Sequence, residues 1–206
     1  RRSSDLSGIT VHGTKRTRFR YIASNTLSDG QAAVGAEGAG VVLEVGADVD
    51  DLVPGDRVMG LFAGAGPVIV TDHRTLAPIP DGLTFAQAAA IPAAFLTAYY
   101  ALVDVAQVRT GMRVLVHAAT GGVGMAAVAL ARHWGLEVLA TASPAKWENL
   151  RELGFDDTHI GSSRTADFEH RCRKQFGATG ADVVVNSLTG DLVDASLRVT
   201  APGGIF

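Results

Sequence analysis

Val114-Leu115-Val116-His117-Ala118-Ala119-Thr120-Gly121-Gly122-Val123-Gly124-Met125-Ala126-Ala127-Val128 is the stretch that decides the fold of this chain. It reads as strand, tight turn and helix in that order, with the strand expected over Arg113–Ala118 and the helix over Gly124–Trp134. Set against G-x-G-x-x-G, the fit is Ala119-x-Gly121-x-x-Gly124, with alanine in place of the first glycine. Gly121 lets backbone approach a pyrophosphate, and Gly124 lets helix and strand pack closely. A helix N-terminus in this place aims unpaired N–H groups and a partial positive charge at an anion. Thr120, Gly121, Gly122, Val123 and Gly124 are therefore expected to line a dinucleotide phosphate site.

Working outward, the end of the second strand should read the adenosine ribose, about 20 residues beyond the turn. That place is Thr141-Ala142-Ser143-Pro144-Ala145-Lys146, with no acidic residue before Glu148. An Asp or Glu there favours NAD, whereas the Ser143 hydroxyl and the Lys146 charge suit a 2′-phosphate. The expected cofactor is NADPH. Two alternatives stay open: Ser143 caps a helix starting near Ala145 with Lys146 solvated, and Arg164 is either a second cation for the phosphate or a free surface arginine.

Around this core the chain alternates further. Strand Glu137–Ala142, helix Ala145–Leu153, a strand near Thr158–Ile160, helix Ala166–Phe176 stopped by Gly177, strand Ala181–Asn186, helix Leu192–Val199 and a strand beginning at Gly204 are expected. Nearly continuous Val/Leu strands between helices predict an α/β fold with a doubly wound, parallel (Rossmann) sheet over residues 107–206, incomplete at its C-terminal end. Upstream, residues 40–46, 56–61 and 67–72 read as short strands of a small antiparallel region, with Pro54-Gly55-Asp56 as a turn. Helices Phe85–Ala90 and Pro92–Val105 complete residues 34–106.

The bulk numbers agree with a globular enzyme. The 206 residues are 47% apolar and 19% charged, with no uninterrupted apolar run long enough to span a bilayer. With one cysteine, Cys172, and no leader-like opening, a cytoplasmic setting is expected and neither membrane nor nucleic acid is an expected partner. Residues 1–33 hold six basic and two acidic groups, +4, which leaves −7 for residues 34–206 out of a net −3. That basic segment is expected to be a solvated or poorly folded terminus.

The stretches Gly35-Ala36-Glu37-Gly38-Ala39-Gly40-Val41-Val42, Pro54-Gly55-Asp56-Arg57-Val58-Met59-Gly60, Phe95-Leu96-Thr97-Ala98-Tyr99-Tyr100-Ala101-Leu102, Ala140-Thr141-Ala142-Ser143-Pro144-Ala145-Lys146-Trp147 and Asn186-Ser187-Leu188, with the glycine turn, are familiar together. From Val34 onward the chain resembles the enoyl reductase domain of modular polyketide synthases, in the medium-chain dehydrogenase/reductase superfamily. The resemblance implies a partial GroES-like domain before the Rossmann domain. It also implies NADPH-dependent reduction of an α,β-unsaturated thioester on an acyl carrier protein, beside other synthase domains. By the same resemblance Thr97 lies near the nicotinamide, and Asn186, Ser187 and Leu188 lie near the cofactor ribose.

Zinc-dependent relatives place His-Glu where this chain has Ala36-Glu37 and use cysteines nearby, so no metal site is expected and His73 is read as structural. His117, beside the turn, either packs as a hydrogen-bonded residue or touches cofactor. The family's acyl-pocket segment finds no match in residues 1–33, and its proposed proton donors fall beyond Phe206. No catalytic residue is assigned, and the chain by itself is expected not to reduce enoyl thioesters. Three functions follow: the enoyl reductase region of a synthase, a free-standing quinone or enone reductase of the same superfamily, or an inactive remnant. Tyr99-Tyr100 and Ser143-Pro144-Ala145-Lys146-Trp147 favour the first over the second.

Overall fold

The computed structural model describes residues 16–23 (as backbone), 37–62 and 68–206. The chain forms two compact units, divided after Ala93 rather than after residue 106. The reason lies in the second helix, whose Ala98 and Leu102, with Ala106 beyond, are buried in the core of the later unit.

In the first unit five strands form one antiparallel sheet: β1 (Arg16–Ala23), β2 (Glu37–Val45), β3 (Arg57–Leu61), β4 (Val68–Asp72) and β5 (Leu76–Pro78), in the order β4-β1-β2-β3-β5. The expectation of an unfolded terminus fails for Arg16–Ala23, which pairs with β2 on one side and β4 on the other. Its alternation of basic residues with Thr17, Phe19 and Tyr21 is a strand pattern that the charge count obscured. The remainder of residues 1–33 lies outside the described residues. Val42, Val49, Leu52, Val58, Phe62 and Ile69 form the core of this sheet. The turn between β2 and β3 is the expected one: Gly55 has φ 102°, Asp56 N–H donates to Val53 O at 3.1 Å, and Val53 N–H donates to the Asp56 carboxylate at 2.8 Å. β5 was not expected, because three residues ending in proline carry no usable period and suit only a sheet edge.

Helix α1 (Phe85–Ala88) begins with a reciprocal capping box, in which Thr84 N–H donates to Gln87 Oε1 at 2.9 Å and Gln87 N–H donates to Thr84 Oγ1 at 3.2 Å. Helix α2 (Pro92–Tyr99) opens on proline and continues as a π-turn over Tyr100–Val105, closed by Ala106 N–H to Ala101 O at 2.9 Å. By length and mean hydropathy, 1.5, the stretch Phe85–Val105 matches a membrane span, although no uninterrupted apolar run was found in it. Ala98 and Leu102 are buried in the core of the second unit, whereas Phe95, Leu96, Tyr99, Tyr100 and Val105 are exposed.

The second unit is a parallel sheet of β6 (Arg113–Val116), β7 (Glu137–Ala142), β8 (Ile160–Ser162), β9 (Ala181–Val185) and β10 (Thr200–Ile205), in the order β10-β9-β6-β7-β8. The helices are α3 (Gly122–His133), α4 (Trp147–Glu152), α5 (Asp167–Phe176) and α6 (Asp191–Arg198). Alternation divides the strands between two faces. Val114, Val116, Val138 and Ala140 pack with Ala126, Ala127 and Leu150. Leu115, Leu139 and Val184 pack with Phe168, Cys172 and Ala195 on the other side. This is the doubly wound fold that the sequence predicts.

Boundaries moved where local chemistry overrode periodicity. β8 begins at Ile160 because Asp156 gathers Thr158 N–H at 2.8 Å and His159 N–H at 3.2 Å into a turn. β10 begins at Thr200, ahead of Gly204, because Pro202-Gly203-Gly204 is a bulge between Thr200 and Ile205 and not a turn before the strand. Buried Cys172 has its thiol pushed up to about 11 by desolvation, so the folded chain should resist a thiol-specific reagent at pH 8 and react only when unfolded. Stoichiometric labelling of the native protein within minutes is the contrary result.

Candidate cofactor site

The order β10-β9-β6-β7-β8 reverses direction at β6, since the chain passes from β6 to β7 on one side and later returns to β9 on the other. In open α/β sheets, ligands bind beyond the carboxyl ends of the strands at such a point. The glycine turn leaves the end of β6 there, and Asn186-Ser187-Leu188 leaves the end of β9 beside it.

The turn is tighter than the fingerprint fit implies. Helix α3 begins at Gly122 with Gly121 as its N-cap, two residues before the expected start, and Gly121 N–H donates to Ala118 O at 2.8 Å. The residue in the left-handed region is Ala118, at φ 47°, and not Ala119. Ala119 N–H instead donates to Thr141 O at 2.8 Å, fastening the turn to the end of β7. A Cβ on Gly124 would lie 2.4 Å from Ala118 O and 2.7 Å from Ala119 Cα, so only glycine permits the helix to sit this close. Among the described residues, the N–H groups of Gly122, Val123 and Gly124 meet no acceptor. They are the unpaired donors with which a helix N-terminus holds an anion. Val123 is also partly exposed beside them.

The place where the sequence expects the adenosine end lies at the ends of two neighbouring strands. Ala142 of β7 pairs with Ser162 of β8, so Ser143 and Arg164 follow adjacent strand ends. Ser143 stands at the N-cap position without a side-chain capping bond; its carbonyl accepts from Lys146 N–H at 2.8 Å in a single 3-10 turn, Pro144–Lys146. Lys146 and Arg164 are exposed, and neither side chain forms an ion pair among the described residues. A hydroxyl and two cations without an ion pair among the described residues thus follow two adjacent strand ends.

Asn186 spends its amide on the loop: Nδ2 donates to Leu188 O at 3.1 Å and Leu188 N–H donates to Oδ1 at 3.0 Å. Asn186 therefore shapes the Ser187 backbone, and Leu188 packs on the second core. Thr97 stands on α2 one turn beyond Ala94, whose Cβ is 3.9 Å from a Cβ built on Gly122. That register brings Thr97 to the side of α2 that faces the glycine turn.

His117 is packed. It is 2% exposed, with Nδ1 2.9 Å from Thr141 Oγ1, Nε2 2.9 Å from Ser196 Oγ and the Phe168 ring edge-on at 4.7 Å. Ser196 donates its proton to Leu192 O at 2.7 Å, so Nε2–H must donate to Ser196, leaving Nδ1 to accept from Thr141. Burial lowers the imidazole from 6.5 to about 4, which keeps it neutral. It joins β6, β7 and α6 beneath the site.

In the first unit Glu37 Oε2 accepts from Ala93 N–H at 2.7 Å, so the carboxylate at the position used by zinc-dependent relatives caps the start of α2. His73 Nδ1 lies 2.8 Å from Asp51. No group of three His, Cys, Asp or Glu residues capable of holding a metal occurs among the described residues.

Sequence reasoning assigned no role to Ala118, Thr141 or Trp147. The indole Nε1–H of Trp147 donates to Ala142 O at 3.3 Å, and Arg171 lies 5.5 Å above its ring. A positive φ at alanine and a side-chain bond five residues back leave no signature in composition or period.

A family profile described as zinc-binding dehydrogenase matches residues 122–206. The chain is 61% identical over 176 residues to the pikromycin polyketide synthase component PikAII of Streptomyces venezuelae, covering 85% of this chain and 5% of that protein. It is 59% identical over 177 residues to the erythronolide synthase EryA2 of Saccharopolyspora erythraea, again covering 85% of this chain and 5% of that protein. The chain thus spans a small fraction of the length of these relatives. The solved structure of CurK enoyl reductase superposes with a TM-score of 0.85 at 35% identity, over 97% of this chain and 67% of that one. On this fold, this site and these identities, the chain belongs to the enoyl reductase domains of polyketide synthases, within the medium-chain dehydrogenase/reductase superfamily.

Proposed function

We propose that the chain binds NADPH and serves the reduction of α,β-unsaturated acyl thioesters carried on an acyl carrier protein, inside a larger synthase. The observation that carries the cofactor half is the ring of unspent groups at the strand ends. These are the N–H groups of Gly122, Val123 and Gly124 for a pyrophosphate, and Ser143, Lys146 and Arg164 for a 2′-phosphate. The close approach at Gly124 fits such a group, since any larger residue would displace the helix whose N–H groups hold it. When bound, the nicotinamide cofactor supplies hydride to the β-carbon of the enoyl group. The protein's part is positioning: Gly121 and Gly122 leave room at the phosphates, and Asn186 fixes the loop beside the ribose. Thr97 is supplied by α2 on the nicotinamide side. Positioning of this kind contributes much of the rate in hydride transfer.

Two measurements test the reading. NADPH should bind the chain more tightly than NADH, and Lys146→Ala should remove most of that preference, about 1.5–3 kcal/mol or roughly tenfold to a hundredfold. Equal affinities before substitution contradict the cofactor assignment. A synthase carrying this region should oxidise NADPH at 340 nm with a crotonyl thioester, and Gly121→Val within it should stop that oxidation and leave the enoyl product. Undiminished reduction by the variant contradicts the proposed role.

A further inference from the structure

Resting on the NADPH reading above, we propose that Trp147 is a positioning residue for recognition of the 2′-phosphate. Ser143 and Lys146 sit on one short 3-10 turn with two backbone bonds, Lys146 N–H to Ser143 O at 2.8 Å and Trp147 N–H to Pro144 O. A turn of that length is soft, and ordering it around an anion costs conformational entropy at the moment of binding. Trp147 closes it from outside. Its indole N–H reaches back to the Ala142 carbonyl at 3.3 Å, so the segment Ser143–Lys146 is bracketed between two residues bonded to each other.

The Ala142 carbonyl is shared. It also accepts from Ser163 N–H at 2.9 Å, at the end of β8 and immediately before Arg164. One oxygen thereby ties together the segment bearing Ser143 and Lys146 and the segment bearing Arg164. The ring that delivers the indole N–H is itself held on two sides. Trp147 packs against the core of the second unit, and the Arg171 guanidinium lies 5.5 Å from its centroid. Arg171 is fixed in turn by Asp167 Oδ2 at 2.8 Å and Asp157 O at 2.8 Å. Packing alone could be met by phenylalanine. Only the indole adds a donor aimed at Ala142, and that donor, acting through the turn and without touching the ligand, pre-arranges the cationic arms.

The test is calorimetric titration of the 206-residue chain with two probes that carry no hydride chemistry, adenosine 2′,5′-bisphosphate and adenosine 5′-monophosphate. Trp147→Phe keeps the ring and loses the N–H. Affinity for the bisphosphate should fall about threefold to tenfold while affinity for the monophosphate, which serves as the folding control, stays unchanged. In a Lys146→Ala background, Trp147→Phe should add little, because both act on one interaction. Arg171→Leu, which removes one support of the ring but keeps the indole N–H, should lower the ratio of the two affinities less than Trp147→Phe does. Equal loss of both probes, additive losses with Lys146→Ala, or a larger drop in the ratio for Arg171→Leu than for Trp147→Phe would overturn the proposal. An unsubstituted chain that fails to distinguish the probes overturns the NADPH reading itself, whereas an unchanged ratio in Trp147→Phe overturns only the role of the tryptophan.

Discussion

Gly124→Val should unfold the second unit, whereas Gly121→Val should leave it folded and abolish NADPH binding. At Gly124 an added Cβ meets Ala118 O at 2.4 Å, Ala119 Cα at 2.7 Å and Ala118 C at 2.9 Å, all of them backbone and none able to swing aside. The helix can accommodate valine only by leaving β6, and core disruption on that scale exceeds about 4 kcal/mol. Gly121 differs in both respects. Its φ of −86° and ψ of 167° are open to any residue, and its added Cβ meets only Ala118 O at 3.2 Å. What valine would obstruct there is the space over the helix N-terminus. Ala118→Gly supplies the opposite control, since it relieves a left-handed alanine and should stabilise by about 1 kcal/mol. Thermal midpoints and NADPH titrations on the three variants check these outcomes. A native midpoint for Gly124→Val, or native affinity for Gly121→Val, would falsify the corresponding assignment.

The second large effect is acid lability centred on His117. Its imidazole titrates near 4 in the folded chain, below the ordinary 6.5, because burial disfavours the charged form. Between these values the unfolded chain takes up a proton that the folded chain refuses, so the unfolded state binds more protons and stability rises with pH. The contribution is therefore complete above about pH 6.5 and is lost as pH falls towards 4, by about 3 kcal/mol in all. Asp182 and Glu169 are also lowered, by hydrogen bonds from Arg113 and Arg198 respectively, so their losses fall below the ordinary carboxylate range and follow later. Urea midpoints from pH 7 to 4.5 should show the slope in the unsubstituted chain and a much smaller one in His117→Gln. The same slope in both chains would assign the lability elsewhere. An activity loss over this window is then a loss of folded protein, because His117 is buried under the site and bonded to Thr141 and Ser196.

How far the site was legible depended on whether each feature is local in the chain. Thr120–Gly124 could be placed because strand, turn and helix are consecutive and each has its own pattern. Ser143 and Lys146 became candidates because a ribose reader is expected at a fixed distance after the turn. Arg164 stood open, since its nearness to Ser143 depends on the pairing of Ala142 with Ser162, a contact between strands separated by a helix. His117 stood open for the same reason: Ser196, which fixes its tautomer, comes 79 residues later.

The sequence by itself determined the alternation of strands and helices, the glycine turn and the absence of an acidic ribose reader. These rest on periodicity and steric demand within a few residues. Tertiary structure alone decided that Arg16–Ala23 is an inner strand, because its place comes from bonds to β2 and β4 and not from its own charge. It alone decided that the Ala142 carbonyl joins the two cationic segments, and that Glu37 caps α2. Such pairings are chosen by which buried donors and acceptors the folded chain brings within reach, and that choice is made by packing across the molecule.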